Sequence, residues 1–421
     1  MEPKQDPILA LREKRDQWLP SWPGGGDSKE DYFELRDKAW KQLCAQGFPS
    51  RKKEDYLYSQ WVQRLEKWQI KTSAFHPNTS MEKSLPFVLP DSWDWKSFSF
   101  DALLTLCFVT QVHEIKAFEN GVTLDGVSLK GTEISLEELI GTVEKQDRTP
   151  GSTLWIVHLN PSCKLDLSWN TGAASSHWPS QLMWVHGMPH SELNLAMSHG
   201  PRSSADWNWV GLYVGLKAQA QFHLLEIQAS KGAHFSRSQV ELLEEGAQAR
   251  LHHIQLGFQS PEKSESTPQA LWTQVNHHSG NTKAKQVVKS LVAHQGVCSF
   301  SGMVKVPAQS QKIEARQLHK SLLLAPTAKS YSRPQMEILA NDVVCSHGST
   351  VGSLDPQELF YLRSRGIAQS EAKGLLARSF CEDLIDSQMT PSSQDRCQKE
   401  LRQLLEEALQ DPLSASEKGG T

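Results

Sequence analysis

The chain has no Cys-x-x-Cys pair. Its seven cysteines stand apart, at positions 44, 107, 163, 298, 345, 381 and 397. An odd, scattered set argues against a disulfide framework and fits reduced thiols, so a cytoplasmic location is expected. Charge of one sign is also missing. The 44 basic and 48 acidic residues leave a net −4, which gives no electrostatic case for nucleic acid. The longest apolar run, around Ala102 to Val109, falls far short of the ~20 residues a membrane-spanning helix needs, so no membrane partner is expected. The opening MEPKQDPILALREKRDQW mixes acids with bases and holds no apolar core, unlike a secretory signal or an acid-poor transit peptide. No G-x-x-x-x-G-K-[ST] loop, G-x-S-x-G elbow or zinc-hydrolase motif appears, so ATP use and catalysis by this chain have no visible apparatus. Tryptophan has its own gap. All 14 lie at or before Trp272, which places broad aromatic packing in the first two thirds.

Residues 1–90 read as helical. Asp6-Pro7 offers an N-cap followed by proline at the first helical position. A second helix runs from about Asp31 with Leu35, Ala39 and Leu43 spaced by four, and stops at Gly47. A third, after Ser50-Arg51, carries Leu57, Trp61, Leu65 and Trp68 on one stripe. From Val122 the period becomes two. Val122 and Leu124, then Asp125-Gly126, then Val127 and Leu129 predict a hairpin. A capping box at Ser135–Glu138 predicts a short helix, giving a small α/β insertion near 119–145. Short alternating segments follow, among them Leu154–Val157, Leu193–Leu195, Phe222–Ile227, Ala249–His252, Phe300–Val304, Ser321–Leu324 and Met336–Leu339. Such spacing suits a sandwich, a propeller or a parallel β-helix, and no repeat is visible to choose among them. Helix returns after residue 352. Asp355 caps, Pro356 follows and Gly366 ends the first element. A second carries Ala372, Leu376, Phe380 and Leu384, and a third Cys397, Leu401, Leu404, Leu405 and Ala408. The tail SASEKGGT has a disordered composition.

The richest stretch is PQMEILANDVVCSHGSTVGSLDPQELFYLRSRGI, Pro334 to Ile367. Cys345 and His347 are two positions apart on a strand-like segment, so their side chains share a face about 6.6 Å apart and can converge on one metal. Gly348 to Gly352 reads as a turn between strand and helix. Taken alone, Cys-x-His on a strand is more often structural, a small buried hydrophobe beside a packing histidine. The stretch resembles the C-terminal motif of the SufB/SufD family of iron–sulfur cluster assembly scaffold proteins. Its CSHGSTVG form is similar to the SufD branch rather than the Cys-Glu-His-Glu-Ala form of the SufB branch. GFPSRKKEDYLYS, Gly47 to Ser59, resembles the family's N-terminal motif, with Tyr56 where tryptophan is common.

The resemblance implies a mostly β fold: a right-handed parallel β-helix over 91–352, between an N-terminal helical region (1–90) and a C-terminal helical domain (353–421). It implies a non-catalytic scaffold that joins a SufB-type paralogue and an ABC-type ATPase of the SufC kind, or forms a homodimer when isolated. His347, with Cys345 beside it, would help build a transient iron–sulfur cluster at the junction with the paralogue. The chain alone would bind no cluster, because two ligands are too few. Leu359, Phe360 and Leu362 would anchor the ATPase, with Arg363 and Arg365 at the rim. The other histidine groups read as surface or packing residues. His252-His253 point to opposite strand faces, proline interrupts His186-Gly-Met-Pro-His190, and Thr282 stands near His277-His278 where some family members carry cysteine. Two alternatives stay open. One is the cluster-carrying SufB-type paralogue, although only Cys163 and Cys298 lie between residues 110 and 340. The other is a carbohydrate-active enzyme on a β-helix, for which no set of paired carboxylates can be named.

Overall fold

The computed structural model describes residues 38–46, 109–119, 121–124, 127–130, 133–135, 152–170, 180–199, 207–229, 232–258, 268–385 and 391–409. Two-residue alternation becomes a run of strands that take turns between two sheets. The first four are β1 (Val109–Phe118), β2 (Gly121–Leu124), β3 (Val127–Lys130) and β4 (Glu133–Ser135). Next come β5 (Ser152–Leu159), β6 (Lys164–Asn170), β7 (Ser180–Gly187), β8 (Glu192–His199), β9 (Trp207–Leu216), β10 (Gln221–Gln228) and β11 (Ala233–Leu242). The last are β12 (Gln248–Gly257), β13 (Pro268–His277), β14 (Lys283–Val292), β15 (Val297–Val306), β16 (Ile313–Leu323), β17 (Lys329–Ile338) and β18 (Val343–Ser353).

From β5 onward every odd strand lies in one sheet and every even strand in the other. From β6 to β16 each strand pairs in parallel with the strand two before and two after it. This is a parallel β-solenoid with two strands per turn, so the resemblance's β-helix is the fold. The absence of a visible repeat has a simple cause in the register. Gln221 lies opposite Gln248, 27 positions on, whereas Gln248 lies opposite Lys283, 35 positions on. Loops of unequal length hide an otherwise regular ladder.

Between the sheets, side chains from both inner faces form one core. Trp155, Val157, Leu167 and Trp169 fill the early turns, and Val210, Leu212, Phe222, Leu224 and Leu251 continue it. Trp155, Trp169 and Trp209 are among the largest fully buried side chains, which is the distributed aromatic packing expected from the tryptophan placement. The hairpin is present as the antiparallel pair β2–β3, with Leu124 opposite Val127. The helix expected after Ser135 lies outside the described residues, as do the first and third N-terminal helices and the Gly47–Ser59 motif. The second N-terminal helix is seen in part as α1 (38–46), where Ala39 and Leu43 are buried.

Among the described residues three helices follow the solenoid: α2 (Pro356–Ser364), α3 (Gln369–Glu382) and α4 (Pro391–Leu409). The Asp355 carboxylate accepts from the Gln357 backbone N–H at 2.8 Å, and Gly366 takes the left-handed conformation that ends the element. Helices α3 and α4 cover the outer face of the even-strand sheet. Ala377, Cys381, Leu384, Leu401 and Leu404 pack against Leu225, Ile227, Ile254 and Leu256. The buried line of α3 is Ala372, Ala377 and Cys381, rotated from the expected Leu376–Phe380 stripe; small residues allow close approach to the flat sheet. Lys289 of β14 fastens this contact by donating to the Asp383 carboxylate and, at 2.6 Å, to the Phe380 carbonyl.

Candidate functional site

The inner line of each even strand can be read straight across the ladder. Ala249, Ala284, Ala315 and Cys345 occupy one column, and Leu251, Gln286, Gln317 and His347 the next. Cys345 and His347 are therefore the final members of two core columns, and a shared face is what alternation along β18 requires. Strand β18 ends its sheet and β17 ends the other. The stretch Gly348–Gly352, expected as a turn, is the second half of β18 and pairs with Leu318–Leu322. Parallel pairing along the full length of β16 overrides the local turn preference of its glycines.

Position in the stack decides exposure. Cys345 is half-buried against Val304, Val306, Ile313 and Ala315, while His347 is exposed. Burial pushes the Cys345 thiol up from its ordinary value, with a hydrogen bond at the Ala315 backbone opposing this in part. Metal would thus bind there by displacing a proton. Behind His347, Gln317 donates its Nε2–H to Gln286 Oε1 at 3.4 Å, and its own Oε1 is a buried acceptor with no hydrogen bond among the described residues. Gln317 has room because residue 302 is glycine; a Cβ there would stand 2.2 Å from its amide nitrogen.

A polar chain runs inward from the same strand. The Ser349 hydroxyl donates to Ser332 at 2.7 Å, and Ser332 donates to His319 Nδ1 at 2.6 Å. The opposite ring nitrogen of His319 donates to Ser290 at 2.9 Å, and Ser290 to Gln255 Oε1 at 2.9 Å. Gln255 donates to Gln228 at 3.2 Å, and Gln228 to Glu226 Oε1 at 2.9 Å. The chain ends on a fully buried carboxylate that also accepts from His199 Nε2 and His253 Nδ1, each at 2.8 Å. Burial pushes the Glu226 carboxyl up, but the two imidazole hydrogen bonds outweigh it and hold it well below the usual carboxylate range. Sequence reading missed this network, because all but one of its links span 13 to 35 positions and form only when turns stack. The single available signal was a set of polar residues at inward positions of otherwise apolar strands.

The partner-facing residues expected on α2 differ among themselves. Phe360 is 73% exposed and Arg363 and Arg365 are exposed, while Leu359 and Leu362 are half-buried. Helix α2 has no buried residue at all. Tyr361, which sequence reading passed over, is 57% exposed and lies under the Arg365 guanidinium, 5.3 Å from its ring centre. The other singled-out histidines are accounted for locally. His277 Nδ1 meets the Thr282 hydroxyl at 2.7 Å, and His278 pairs with Glu241 at 2.5 Å. His186 stacks on His158, and His252 meets the Leu384 carbonyl at 3.1 Å.

Residues 202–380 match the family described as SUF system FeS cluster assembly, SufBD core domain. This segment contains the solenoid's later turns and both Cys345 and His347, and through it the chain is similar to the SufB/SufD family. It is 35% identical over 127 residues to the iron-sulfur cluster assembly protein SufD of Escherichia coli, covering 30% of each chain. It is 30% identical over 178 residues to an iron-sulfur cluster assembly SufBD family protein of Synechocystis, covering 42% of this chain and 38% of that one. A third similar protein, ABCI7 of Arabidopsis chloroplasts, is 36% identical over 123 residues, 29% of this chain and 26% of that one. The matched segments thus span about a quarter to two fifths of these relatives' lengths. Among the described residues no helix is long and apolar enough to cross a membrane.

Proposed function

We propose that this chain is a SufD-type, non-catalytic scaffold subunit of an iron–sulfur cluster assembly complex in the cytoplasm. Its terminal turn supplies part of the coordination sphere of a nascent cluster. One observation carries the reading: two inner columns of the solenoid end in Cys345 and His347 on an edge strand, beside an acceptor of Gln317 that nothing among the described residues satisfies. An edge strand with open backbone groups invites pairing with another strand. The apolar side chains Val344, Val351, Tyr331 and Leu339, all on or beside the last turn, are exposed there. A SufB-type paralogue ending in a similar solenoid turn would cover this end and bring further ligands. A second copy of this chain would cover it in the isolated protein.

Cluster iron and sulfide are cargo of this junction. His347 offers a nitrogen ligand and Cys345 a thiolate or a sulfur relay, while two ligands alone fall short of the roughly four a cluster takes. Leu359, Phe360 and Leu362 with Arg363 and Arg365 dock a SufC-type ABC ATPase, and the exposed Phe360–Tyr361 pair supports that surface over a core role. Helices α3 and α4, fixed to the solenoid by Lys289 and His252, transmit the ATPase's movement to the scaffold. The test is anaerobic co-expression with the paralogue and the ATPase. His347→Ala should leave the three-protein complex intact while its iron and acid-labile sulfide fall at least tenfold. Unchanged content would overturn the assignment. The cluster-carrying alternative makes a different forecast, a stably coloured product from this chain alone.

A further inference from the structure

The interior carries a second set of ligating side chains, well away in sequence from Cys345 and His347. His199 ends β8, Glu226 stands on β10 and His234 is near the start of β11, so two come from one sheet and one from the other. All three are essentially inaccessible, at 1%, 0% and 0% exposure. One ligand atom of each lies within 4.8 Å of the others. The His199 and His234 rings are 4.4 Å apart between centres. Around this trio stands a ready outer layer. His253 Nδ1 holds the second oxygen of Glu226 at 2.8 Å, and Gln228 holds the first at 2.9 Å. The Asn208 amide meets His234 Nδ1 at 3.2 Å. Amide orientation is assigned from the network, and the Asn208 Oδ1 is without a hydrogen bond. Turned by 180°, it would accept from His234 Nδ1–H and leave the other ring nitrogen as a lone pair.

We propose that His199, Glu226 and His234 form a buried binding site for a divalent first-row transition metal ion inside the solenoid. Two imidazoles and one carboxylate match the donor preference of ferrous iron or zinc and are too rich in nitrogen for magnesium or calcium. Charge agrees with this choice, since a fully buried carboxylate favours a cation beside it. Ligands about 2.0–2.2 Å from an ion stand roughly 3.4 Å apart, so the trio closes inward on binding. The His199 proton that now faces Glu226 moves to the other ring nitrogen or leaves as the ion arrives, and the ion takes the freed lone pair. His253 and Asn208 are positioning residues that fix the carboxylate and a ring tautomer. Burial on every side implies that the ion enters while the turns are still assembling.

The test uses the full chain carrying Cys345→Ser and His347→Ala, so that the terminal turn cannot contribute and the outcome is independent of the proposed function. The chain is expressed in medium supplemented with zinc or cobalt, desalted against chelator, and its metal measured by mass spectrometry. The site predicts about one ion per chain and, for cobalt, visible d–d absorption. Glu226→Gln and His234→Gln should each lower retained metal at least tenfold. His253→Gln should leave binding in place but weaken retention about 10- to 100-fold. Where Glu226→Gln fails to fold, His234→Asn and X-ray absorption of the cobalt protein, showing a nitrogen/oxygen shell, decide in its stead. A folded chain with under a tenth of an ion in both media, or equal metal in the His234 variants, would overturn the site.

Discussion

The inner turns and the last turn of the solenoid are built on the same ladder and end up in opposite states. On β10 to β14 inward polar groups hydrogen-bond one another: Glu226 takes His199, His253 and Gln228, and Gln255 links Gln228 to Ser290. On β18 the columns beside those of Glu226 and Gln228 carry Cys345 and His347, and among the described residues no further strand lies above them in the sheet. The contrast shows how one repeating geometry gives both a core and a site. Where a turn has neighbours on both sides, inward polar side chains meet one another; where one neighbour is missing, inward positions are left open, and these are the proposed ligands.

The comparison can be broken most forcefully at the buried carboxylate. Glu226→Ala leaves two buried imidazoles without their acceptor, and removing one member of such a set costs about 3–5 kcal/mol. Urea unfolding of this variant beside His347→Ala should show that loss in the first and within about 0.5 kcal/mol of wild type in the second. Similar losses in both would erase the distinction between inner and outer turns.

Glycines sharpen it at the next level. A Cβ at Gly302 would stand 2.2 Å from Gln317 Nε2 and 2.6 Å from Phe300 Cζ, whereas at Gly348 it would meet Leu318 at an ordinary 3.6 Å. Gly302→Ala should therefore cost about 1–3 kcal/mol through overpacking, and Gly348→Ala about 0.5 kcal/mol or less in either direction. Thermal melts of the two variants check the ordering, and the reverse order would contradict the packing described for Gln317.

The smallest effect is in pH. Burial holds His277 and His319 down to about 4, and His186 also to about 4 with help from nearby His158 and Lys217. Their folded values lie below the ordinary 6.5, so the fold favours the neutral rings. The stability this gives is fully present above pH 6.5 and is lost as pH falls toward 4. The melting temperature should drop across that window, and His319→Gln should make the drop shallower. An unchanged slope would mean that His319 is not held neutral.

The C-terminal helices and the alternating middle were legible because helix caps and two-residue periodicity are local signals. Asp355, Pro356 and Gly366 bound α2 as their chemistry dictates. Pairing partners were not legible, because the spacing between successive turns varies, 27 positions in one place and 35 in the next. For the same reason the meeting of His199, Glu226 and His234 could not be read from spacing. Cys345 and His347 were found because both lie on one strand, where alternation alone places them together. Gly348–Gly352 misled because glycine speaks for turns locally, while β16 offered a full-length partner. The α3 stripe was displaced because a flat sheet selects the small residues Ala377 and Cys381 for its contact.

The most direct test of the central claim is the iron and sulfide content of the anaerobically purified complex, measured side by side for wild type and His347→Ala at equal subunit stoichiometry. The account predicts an intact assembly that has lost at least nine tenths of both. An intact assembly with wild-type iron and sulfide would contradict it.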